Sequence, residues 1–333
     1  MDTNPIPNSD NEIRLFMKVR NEARRLPYFL NYYRQLGVAR FFVVDNASDD
    51  RTVEFLKANS DCHVFFTDHN MAGSRAGMNW IEPLVRNYGA NRWCVIVDAD
   101  ELLVYPNSEH LSLPDFCQKL QHRNANALLC IMIDMYPEGD IKETRFHEGQ
   151  SLIEACPFFD RSGYRYIPLS HSDVPLIIGG PRLRTFFPEL LDWRRSARAR
   201  RWILNKIAGA SARIPYVKKI PTLQKLRPLV APHLNKVPLV RWNKAMTLAP
   251  ASHFISGARL AAGNGALLHF KFLGDFERRV DEETVRKSYA GDEYKRYYNR
   301  LGQKAPLNFM CELSTRFSGS QQLLELGLLR NLT

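Results

Sequence analysis

Apolar positions along the first half of the chain follow two spacings in turn. Short runs of adjacent apolar residues predict buried strands, and between them apolar residues recur every three or four positions, as in an amphipathic helix. The predicted strands are 13–19, 40–45, 63–68, 94–97 and 127–134, and the predicted helices are 21–37, 50–59, 74–88 and 113–122. Strands and helices that alternate in this way predict an α/β fold with a mainly parallel sheet covered by helices.

Polar residues follow the predicted strands. Residues 20–22 follow the first strand, Asp45 ends the second, and Asp98 ends the fourth. Ligands of parallel sheets bind beyond the carboxyl ends of the strands, so these residues are expected to lie together on one rim. Helix capping is the simpler alternative, but it does not explain Asp45, which precedes a turn of several residues.

Three carboxylates, Asp98, Asp100 and Glu101, follow the short apolar run 94–97. Alternate residues of a strand share a face, so Asp98 and Asp100 are predicted to point the same way. Mg²⁺ or Mn²⁺ would relieve their repulsion and would take substrate phosphates as further ligands. For this motif alone, a strand-end cluster that caps the next turn is the competing interpretation. Neither G-x-G-x-x-G nor G-x-x-x-x-G-K-[ST] follows a predicted strand, which argues against a Rossmann dinucleotide site and against a P-loop.

The late apolar segment 267–272 carries two polar side chains at alternate positions. On a strand, His269 and Lys271 would share one face and the apolar residues beside them the other. An imidazole and an ammonium group that point together suit a third metal ligand and a phosphate contact. A hydrogen-bonded core histidine is the alternative interpretation.

Four segments carry a resemblance to a known family. In chain order they read VRNEARRLPYFLNYYRQLGV (19–38), VVDNASDDRT (43–52), VDADE (97–101) and GALLHFKFL (265–273). They resemble a family 2-type glycosyltransferase of the GT-A fold, and more narrowly the bacterial branch related to the family 92 enzymes, from about residue 12 to about residue 280. The resemblance implies a Rossmann-like, mainly parallel central sheet flanked by helices, with a basic insertion and a helical C-terminus.

The resemblance also implies roles for single residues. In GT-A enzymes the acid that ends the second strand reads the nucleotide base, which here would be Asp45. The D-x-D of the family, here Asp98 and Asp100, holds a divalent metal on the sugar-nucleotide diphosphate, and a late histidine, here His269, is often a further ligand. For Arg75, in a segment similar to the family's N-x-x-G-x-x-R, a solvent-facing helix position is an equal alternative to the nucleotide pocket.

The predicted site therefore has three sets of residues. The predicted nucleotide-binding residues are Arg20, Asn21, Glu22, Asp45, Asn70, Arg75, Asp98 and Lys271. The predicted ligands of Mn²⁺ or Mg²⁺ are Asp98, Asp100 and His269. The candidates for the catalytic base are Asp134 and Glu138, in the carboxylate-rich turn 134–140, and Asp173. The family's usual E-D base motif is not visible in this chain, and a solvated loop carboxylate is the alternative for each candidate.

The net charge of +11 is concentrated in the segment 182–245. Between Arg182 and Lys244 sixteen lysines and arginines stand against two acids, so the rest of the chain is slightly acidic. Residues 193–208 can form a basic amphipathic helix with two tryptophans, a pattern typical of helices that lie on an anionic membrane surface. Nucleic-acid binding is not expected, because no nucleic-acid motif accompanies the charge. An ordinary solvated face is the remaining alternative.

These features predict a metal-dependent glycosyltransferase. It would move a sugar from a nucleotide sugar, with uridine as the favoured base, to a hydroxyl of a glycan or lipid-linked glycan, and the resemblance implies inversion. A metal-dependent nucleotidyltransferase or phosphohydrolase is one alternative. A non-catalytic membrane- or nucleic-acid-binding protein is the other.

The predicted organisation has three parts. Residues 1–11 would be a disordered tail, 12–180 the nucleotide-sugar-binding half, and 181–333 the acceptor-side half with the basic segment, the strand at His269 and C-terminal helices. No apolar run approaches the roughly 20 residues that span a bilayer, and the first residues are polar. A cytoplasmic location with peripheral contact on the inner face of the cytoplasmic membrane is therefore expected.

Overall fold

The structure is a computed structural model that describes residues 6, 9, 12–169, 172–191, 232–249, 252–286, 293–303 and 305–332. At Ala72, Leu169, Ser172 and Asp173 it describes the backbone alone. Most of the predicted tail 1–11 and all of the predicted amphipathic stretch 193–208 lie outside the described residues.

The described chain forms the following strands and α-helices. The strands are β1 (Ile13–Val19), β2 (Val38–Asp45), β3 (Cys62–Phe66), β4 (Trp93–Ile96), β5 (Glu101–Val104), β6 (Ala127–Asp134), β7 (Phe158–Asp160), β8 (Arg165–Leu169), β9 (Ser172–Ile178), β10 (Asn235–Arg241), β11 (Thr247–Leu248), β12 (Ile255–Ser256), β13 (Gly265–His269) and β14 (Ser314–Arg316). The α-helices are α1 (Leu26–Leu36), α2 (Thr52–Lys57), α3 (Met78–Tyr88), α4 (Leu113–His122), α5 (Leu152–Ala155), α6 (Gly180–Phe186), α7 (Phe276–Arg286), α8 (Glu293–Leu301) and α9 (Ser320–Glu325).

Eight of these strands form the central sheet, in the order β3-β2-β1-β4-β10-β6-β13-β5. The pairs β3–β2, β2–β1, β1–β4 and β6–β13 are parallel, whereas β10 is antiparallel to both of its neighbours and β5 is antiparallel to β13. Six strands therefore direct their carboxyl ends to one edge of the sheet, and β10 and β5 begin at that edge. The predicted mainly parallel, Rossmann-like α/β sheet flanked by helices is confirmed.

Helices pack on both faces of this sheet because successive strand residues point to opposite sides. On β1, Leu15 and Met17 belong to the apolar cluster that includes α1, whereas Phe16 belongs to the cluster that includes α3. The buried residues of α1 are Leu26, Phe29, Leu30, Tyr33 and Leu36. Full burial of one such side chain is worth about 1.5–3 kcal/mol, so this stripe fixes α1 on the sheet. Gly37, with a φ of 106°, ends the helix in the left-handed conformation, as predicted.

The predicted boundaries agree best where the apolar pattern is strongest. The predicted strands 13–19 and 127–134 coincide with β1 and β6, and the predicted helix 113–122 coincides with α4. The predicted helix 21–37 begins later, at Leu26. Asn21 has a φ of 54°, which a helix does not accept, and Pro27 occupies the first helical turn.

One part of the basic segment 182–245 belongs to the central sheet. Residues 235–241 form β10, a central strand between β4 and β6. The sequence does not predict this strand because it contains Pro238, and proline, which lacks a backbone hydrogen-bond donor, is rare in central strands. The register between β10 and β6 is irregular between Lys236 and Leu239, on either side of that proline.

The segment 97–100 connects two strands that are not neighbours. β4 and β5 have β10, β6 and β13 between them in the sheet. The segment therefore crosses the carboxyl ends of the intervening parallel strands, and Phe270 N, just after β13, donates to the carbonyl of Asp100 at 2.8 Å. This crossing brings the predicted acidic motif to the edge of the sheet. Within the described ranges no helix is long and apolar enough to cross a membrane.

Candidate functional site

A cleft of about 240 Å³ lies at the edge of the sheet where the parallel strands end. Its walls come from the residues after β1, the segment 97–101, the start of β10, the end of β13 and the helices α7 and α8. The predicted site residues that line it are Arg20, Asn21, Glu22, Asp98, Asp100, His269 and Lys271. The fold therefore brings together residues from the first, third and last motifs of the sequence.

Asp100, Glu101 and His269 form a compact group of potential metal ligands. One ligand atom of each lies within 4.8 Å of the others, and all three residues are buried. The register explains part of this arrangement, because His269 of β13 pairs with Glu101 of β5. Two carboxylates and an imidazole suit Mn²⁺, and Mg²⁺ through the oxygens, so the chemistry of this donor set fits the predicted metal. Burial opposes ionisation of Asp100, but His269 and Arg279 outweigh it and lower the pKa of that carboxyl.

Asp98 is turned towards two lysines rather than towards this group. Lys18 of β1 pairs with Oδ1 of Asp98, and the Nζ of Lys236 lies 3.1 Å from Oδ2 and also pairs with Glu101. Burial disfavours the ionised carboxylate, but the two ammonium groups outweigh it and hold the pKa of Asp98 well below its usual value. Both oxygens are therefore engaged within the protein. Asp98 as a metal ligand stays a prediction.

Asp134, the first candidate for the base, lies behind His269. The two residues are neighbours in the register of β6 and β13, and the side chain of Asp134 has no exposed surface. Its Oδ1 lies 2.6 Å from His269 Nδ1, and Arg182 Nε donates to its Oδ2 at 3.1 Å. Burial opposes its ionisation, but Arg182 and His269 outweigh it and hold the pKa of Asp134 well below its usual value. A carboxylate enclosed in this way does not reach an acceptor, so the geometry does not favour Asp134 as the base.

Arg182 reaches this position because two backbone segments approach each other closely at Gly179. Gly179, just before α6, has a φ of 150°, and a Cβ there would lie 2.7 Å from the carbonyl oxygen of Gly163. Only glycine fits at that point. The turn directs the first residues of α6, including the buried Arg182, towards the end of β6.

Arg279 of α7 holds one guanidinium nitrogen towards the ligand group. Its Nη2 lies 3.0 Å from Oε1 of Glu22, whereas its buried Nη1 lies 4.0 Å from Asp100 Oδ2 and finds no hydrogen-bond partner among the described groups. Glu22 also accepts from Arg25, which pairs with Asp275 at 2.6 Å. Burial raises the pKa of Glu22, although both arginines oppose it. This chain of ion pairs fixes α7 against the loop after β1.

Asp45 ends β2 beside the cleft and is 1% exposed. Its Oδ2 accepts from Ser48 N at 3.2 Å, whereas its buried Oδ1 has no hydrogen-bond partner among the described groups. Arg286 at the end of α7 donates to Asn46 Oδ1 at 3.0 Å, and its carbonyl accepts from Asn70 Nδ2 at 3.0 Å. An unsatisfied buried carboxylate oxygen is costly, and a ligand N–H would satisfy it. The end of α7 thus covers the rim next to this orphaned acceptor.

The loop after β1 is held by its own side chains. Arg20 Nη1 donates to the carbonyl of Asn46 at 2.7 Å. Asn21 accepts from the backbone N–H of Asp49 at 2.9 Å through Oδ1. Both residues line the cleft, so they shape its wall even where their polar atoms are already engaged.

Five predicted residues do not line the cleft: Asp45, Asn70, Arg75, Asp134 and Glu138. Arg75 donates to Glu82 at 2.8 Å and to the carbonyl of Leu248 at 3.0 Å, so it links α3 to β11 instead. Glu138 is exposed in the turn after β6. The side chain of Asp173 lies outside the described residues, so its role as a base stays a prediction.

Two neutral histidines also line the cleft. The ring centroids of His233 and His253 are 5.8 Å apart. Burial, with the neighbouring imidazole, lowers the pKa of His233 to about 3, and burial, with Lys236 and Arg182 nearby, lowers the pKa of His253 to about 4. His253 Nδ1 lies 2.6 Å from the carbonyl oxygen of Asn235. A carbonyl only accepts, so Nδ1 carries the proton and Nε2 keeps its lone pair.

Lys271, the predicted phosphate contact, lies at the end of β13 next to α8. Its Nζ lies 3.2 Å from Glu293 Oε1 and 4.9 and 5.1 Å from the ring centres of Tyr294 and Tyr297. Burial disfavours the ammonium form, but Glu293 outweighs it and the pKa of Lys271 is raised. The lysine therefore stays charged in the cleft wall.

Several cleft residues were not found from the sequence. Lys18 is a charged residue near the end of the apolar strand β1, and this position in the sequence indicates a residue at the carboxyl edge of the sheet. The sequence did not indicate Lys236 as a site residue, because β10 was not among the predicted strands. Arg182 and Arg279 are separated from their partners by long stretches of chain, so only the folded register shows their roles.

No family model matches this chain, and no curated protein matches it. Among solved structures, HddC from Yersinia pseudotuberculosis is similar at 13% identity and a TM-score of 0.24, over 42% of this chain and 70% of that chain. A putative glucose-1-phosphate thymidylyltransferase from Bacillus anthracis is similar at 8% identity and a TM-score of 0.26, over 41% of this chain and 65% of that one. A 4-diphosphocytidyl-2C-methyl-D-erythritol synthase from Anaerococcus prevotii is similar at 9% identity and a TM-score of 0.23, over 39% and 59%. Likeness of this extent leaves the function to be argued from the site itself.

Proposed function

We propose that this protein is a metal-dependent glycosyltransferase that uses a nucleotide sugar, with a uridine diphosphate donor favoured, and a glycan or lipid-linked glycan acceptor. One observation carries the proposal. At the carboxyl edge of a mainly parallel sheet, the acidic and imidazole ligand atoms of Asp100, Glu101 and His269 converge within 4.8 Å in a cleft that also holds several cations. The resemblance of the four sequence motifs to the GT-A family agrees with this placement.

The donor would lie across the ends of β1, β2 and β13. Asp45 would take a base N–H on its orphaned Oδ1, in keeping with the base-reading role that the resemblance implies. Asn46 and Asn70, already held by Arg286 of α7, border that position. The diphosphate would then reach the ligand group at Asp100.

Charge complementarity supports a diphosphate rather than a neutral ligand. Lys18, Lys236 and Lys271 line the cleft, and the free Nη1 of Arg279 faces Asp100 at 4.0 Å. In a water-poor cleft such cations stabilise phosphate oxygens more strongly than they do in bulk water. A bound Mn²⁺ or Mg²⁺ would supply further neutralisation of the leaving diphosphate. The protein's own cations would hold that diphosphate in place and stabilise the charge that develops on it when the glycosidic bond breaks.

His253 is a further candidate for the group that accepts the acceptor proton, beside Asp173. This imidazole is neutral at pH 7, and its Nδ1–H is fixed on the carbonyl of Asn235, so its Nε2 is free to accept. Asp134 is enclosed and Glu138 is exposed outside the cleft, which leaves Asp173 as the remaining predicted carboxylate. A single inverting displacement with a base on the acceptor side follows the family resemblance.

The reaction products decide between this proposal and its closest rival. Purified protein with Mn²⁺ and a panel of uridine, guanosine and thymidine diphosphate sugars is expected to release the nucleoside diphosphate. Asp100→Asn should abolish the release, and Asp68→Asn, whose side chain is 76% exposed, should not. Release of pyrophosphate or inorganic phosphate instead would establish a nucleotidyltransferase or a phosphohydrolase.

The acceptor and the membrane contact rest on the basic segment. Most of 182–245 lies outside the described residues, so its proposed role is tested in solution. Sedimentation with anionic vesicles at low salt should carry the protein down, whereas vesicles of neutral lipid should not. Equal recovery in the supernatant with both would remove the membrane partner from the proposal and leave the donor site unaffected.

A further inference from the structure

We propose that Asp134 is a positioning residue: it holds the proton of His269 on Nδ1 and so presents the Nε2 lone pair to Asp100 and Glu101. The part of this inference that concerns a metal rests on the proposed function. The part that concerns the histidine does not, and the two are tested separately.

The position of the proton follows from the contact itself. Asp134 Oδ1 and His269 Nδ1 are 2.6 Å apart, which is a hydrogen-bond distance. An ionised carboxylate has acceptors and no donor, so a hydrogen bond between these two atoms needs its proton on the imidazole. Arg182 Nη2 also lies 2.9 Å from Nδ1, and in this arrangement it donates to the carboxylate of Asp134 rather than to the ring. A neutral imidazole carries one proton, and with that proton on Nδ1 the Nε2 atom is a lone-pair donor to a cation.

Arg182 maintains the ionised state on which this reasoning depends. Its Nε and Nη2 both donate to the carboxylate of Asp134, with the Nε–Oδ2 distance at 3.1 Å. Asp134 has no exposed surface, and a buried carboxylate without such a partner would take up a proton and become a donor itself. Arg182 is therefore part of the same positioning unit, and it comes from a helix placed by the Gly179 turn.

The other side of the ring shows what this orientation serves. His269 Nε2 lies 3.6 Å from Asp100 Oδ2, and the Glu101 carboxylate belongs to the same group. With Nε2 unprotonated, these atoms are all acceptors, and 3.6 Å is longer than a hydrogen bond. Asp100 Oδ2 and Nε2 then face each other without a proton between them and repel, whereas Glu101 is already paired with Lys236. A divalent cation beside Asp100 and His269 would remove that repulsion. A carboxylate behind a ligand histidine also raises the basicity of the metal-binding nitrogen.

The tautomer of His269 is measurable without metal or nucleotide. Wild-type protein labelled with ¹⁵N at its nine histidines and freed of metal by a chelator gives ring nitrogen signals by two-bond correlation at about pH 8, above the usual histidine pKa. The signals that His269→Gln removes identify the residue. We expect a protonated Nδ1 and an unprotonated Nε2. A protonated Nε2 in the wild type would overturn the proposal.

Asp134→Asn tests the consequence for the metal. An amide can donate to Nδ1 and so move the proton to Nε2, and we expect the Mn²⁺ affinity, read from the signal of free Mn²⁺ in electron paramagnetic resonance, to fall by about 10- to 100-fold. The exposed Asp115→Asn is the matched control and should keep the wild-type affinity. Wild-type affinity and tautomer in Asp134→Asn would contradict the positioning role. Absence of Mn²⁺ binding to the wild type would instead refute the metal site, and the tautomer measurement would still decide the role of Asp134. The tautomer measurement in the wild type would also decide the role of Asp134 if Asp134→Asn failed to fold.

Discussion

The ammonium group of Lys236 lies 3.1 Å from Oδ2 of Asp98, although 138 positions separate the two residues in the chain. Lys18 holds the other oxygen of the same carboxylate. The first acid of the D-x-D is thus neutralised by lysines from two strands, and the potential metal ligands that lie closest together are Asp100, Glu101 and His269. The site combines carboxylates and an imidazole with ammonium groups beside them, a set of groups that suits the proposed diphosphate and divalent cation.

Removal of Lys236 should destabilise the fold. In Lys236→Met, Asp98 and Glu101 lose a shared buried partner, and breaking a buried ion pair costs about 3 kcal/mol. We expect the free energy of unfolding, measured by urea denaturation at pH 7, to fall by about that amount. Lys57→Met, at an exposed position of α2, should change it by less than about 0.5 kcal/mol. Equal stabilities of the two variants would show that Lys236 is not a structural counter-ion of the motif.

Arg279→Gln should weaken binding through the phosphates alone. The free Nη1 of Arg279 is placed for a charge-assisted hydrogen bond, which is worth about 1.5–3 kcal/mol, so UDP affinity should fall at least about tenfold. Uridine, which lacks phosphates, should bind as it does to the wild type. The exposed Arg123→Gln serves as control. An equal loss for UDP and uridine would mean that the arginine acts through the fold of α7.

Asp45→Asn should remove the selection of the base. A carboxylate accepts from the N3–H of uracil, so the wild type should bind UDP about tenfold more tightly than UDP methylated at N3. In Asp45→Asn the two ligands should bind alike, and in Asp49→Asn the wild-type difference should persist. If methylation at N3 weakened UDP binding by the same factor in the wild type and in Asp45→Asn, the uracil base would not bind at Asp45.

The two cleft histidines should make stability depend on pH. Their pKa values of about 3 and about 4 in the folded protein lie below the value of about 6.5 in an unfolded chain. The unfolded state therefore binds protons first, and stability that is present above pH 6.5 is lost as the pH falls. We expect the free energy of unfolding to drop by about 1–2 kcal/mol between pH 7 and pH 5, a range reduced for the partial exposure of both rings.

Substitution of both histidines provides the control. The double variant His233→Gln, His253→Gln should show a flatter profile over the same window. The carboxylates with lowered pKa, Asp98 and Asp134, lose their contribution only below about pH 4, so they do not interfere. A wild-type profile that runs parallel to that of the double variant from pH 7 to pH 5 would show that the histidines are not buried as neutral groups.

The sequence was informative where chemistry and periodicity are local. The strands β1 and β6, the helix α4 and the crowding of Asp98, Asp100 and Glu101 all follow from neighbouring residues. The family resemblance added His269, which the register of β13 places beside Glu101. Each of these needed no knowledge of distant contacts.

The sequence was uninformative where a role depends on register between distant strands. Lys236 reaches Asp98 only because β10, with its proline, inserts into the centre of the sheet. Asp134 was interpreted as a base because it follows a strand, and only the pairing of β6 with β13 places it behind His269. Arg75 has the residue type of a phosphate ligand, but its guanidinium is held by Glu82.

The most direct test of the account is the binding of UDP, by calorimetry, to wild-type protein and to Asp100→Asn, each with and without Mn²⁺. Asp68→Asn, exposed at the same edge of the sheet, is the matched control. The account predicts binding that requires Mn²⁺, persists in Asp68→Asn and is lost in Asp100→Asn. UDP binding that is the same with and without Mn²⁺, or that survives in Asp100→Asn, would contradict it.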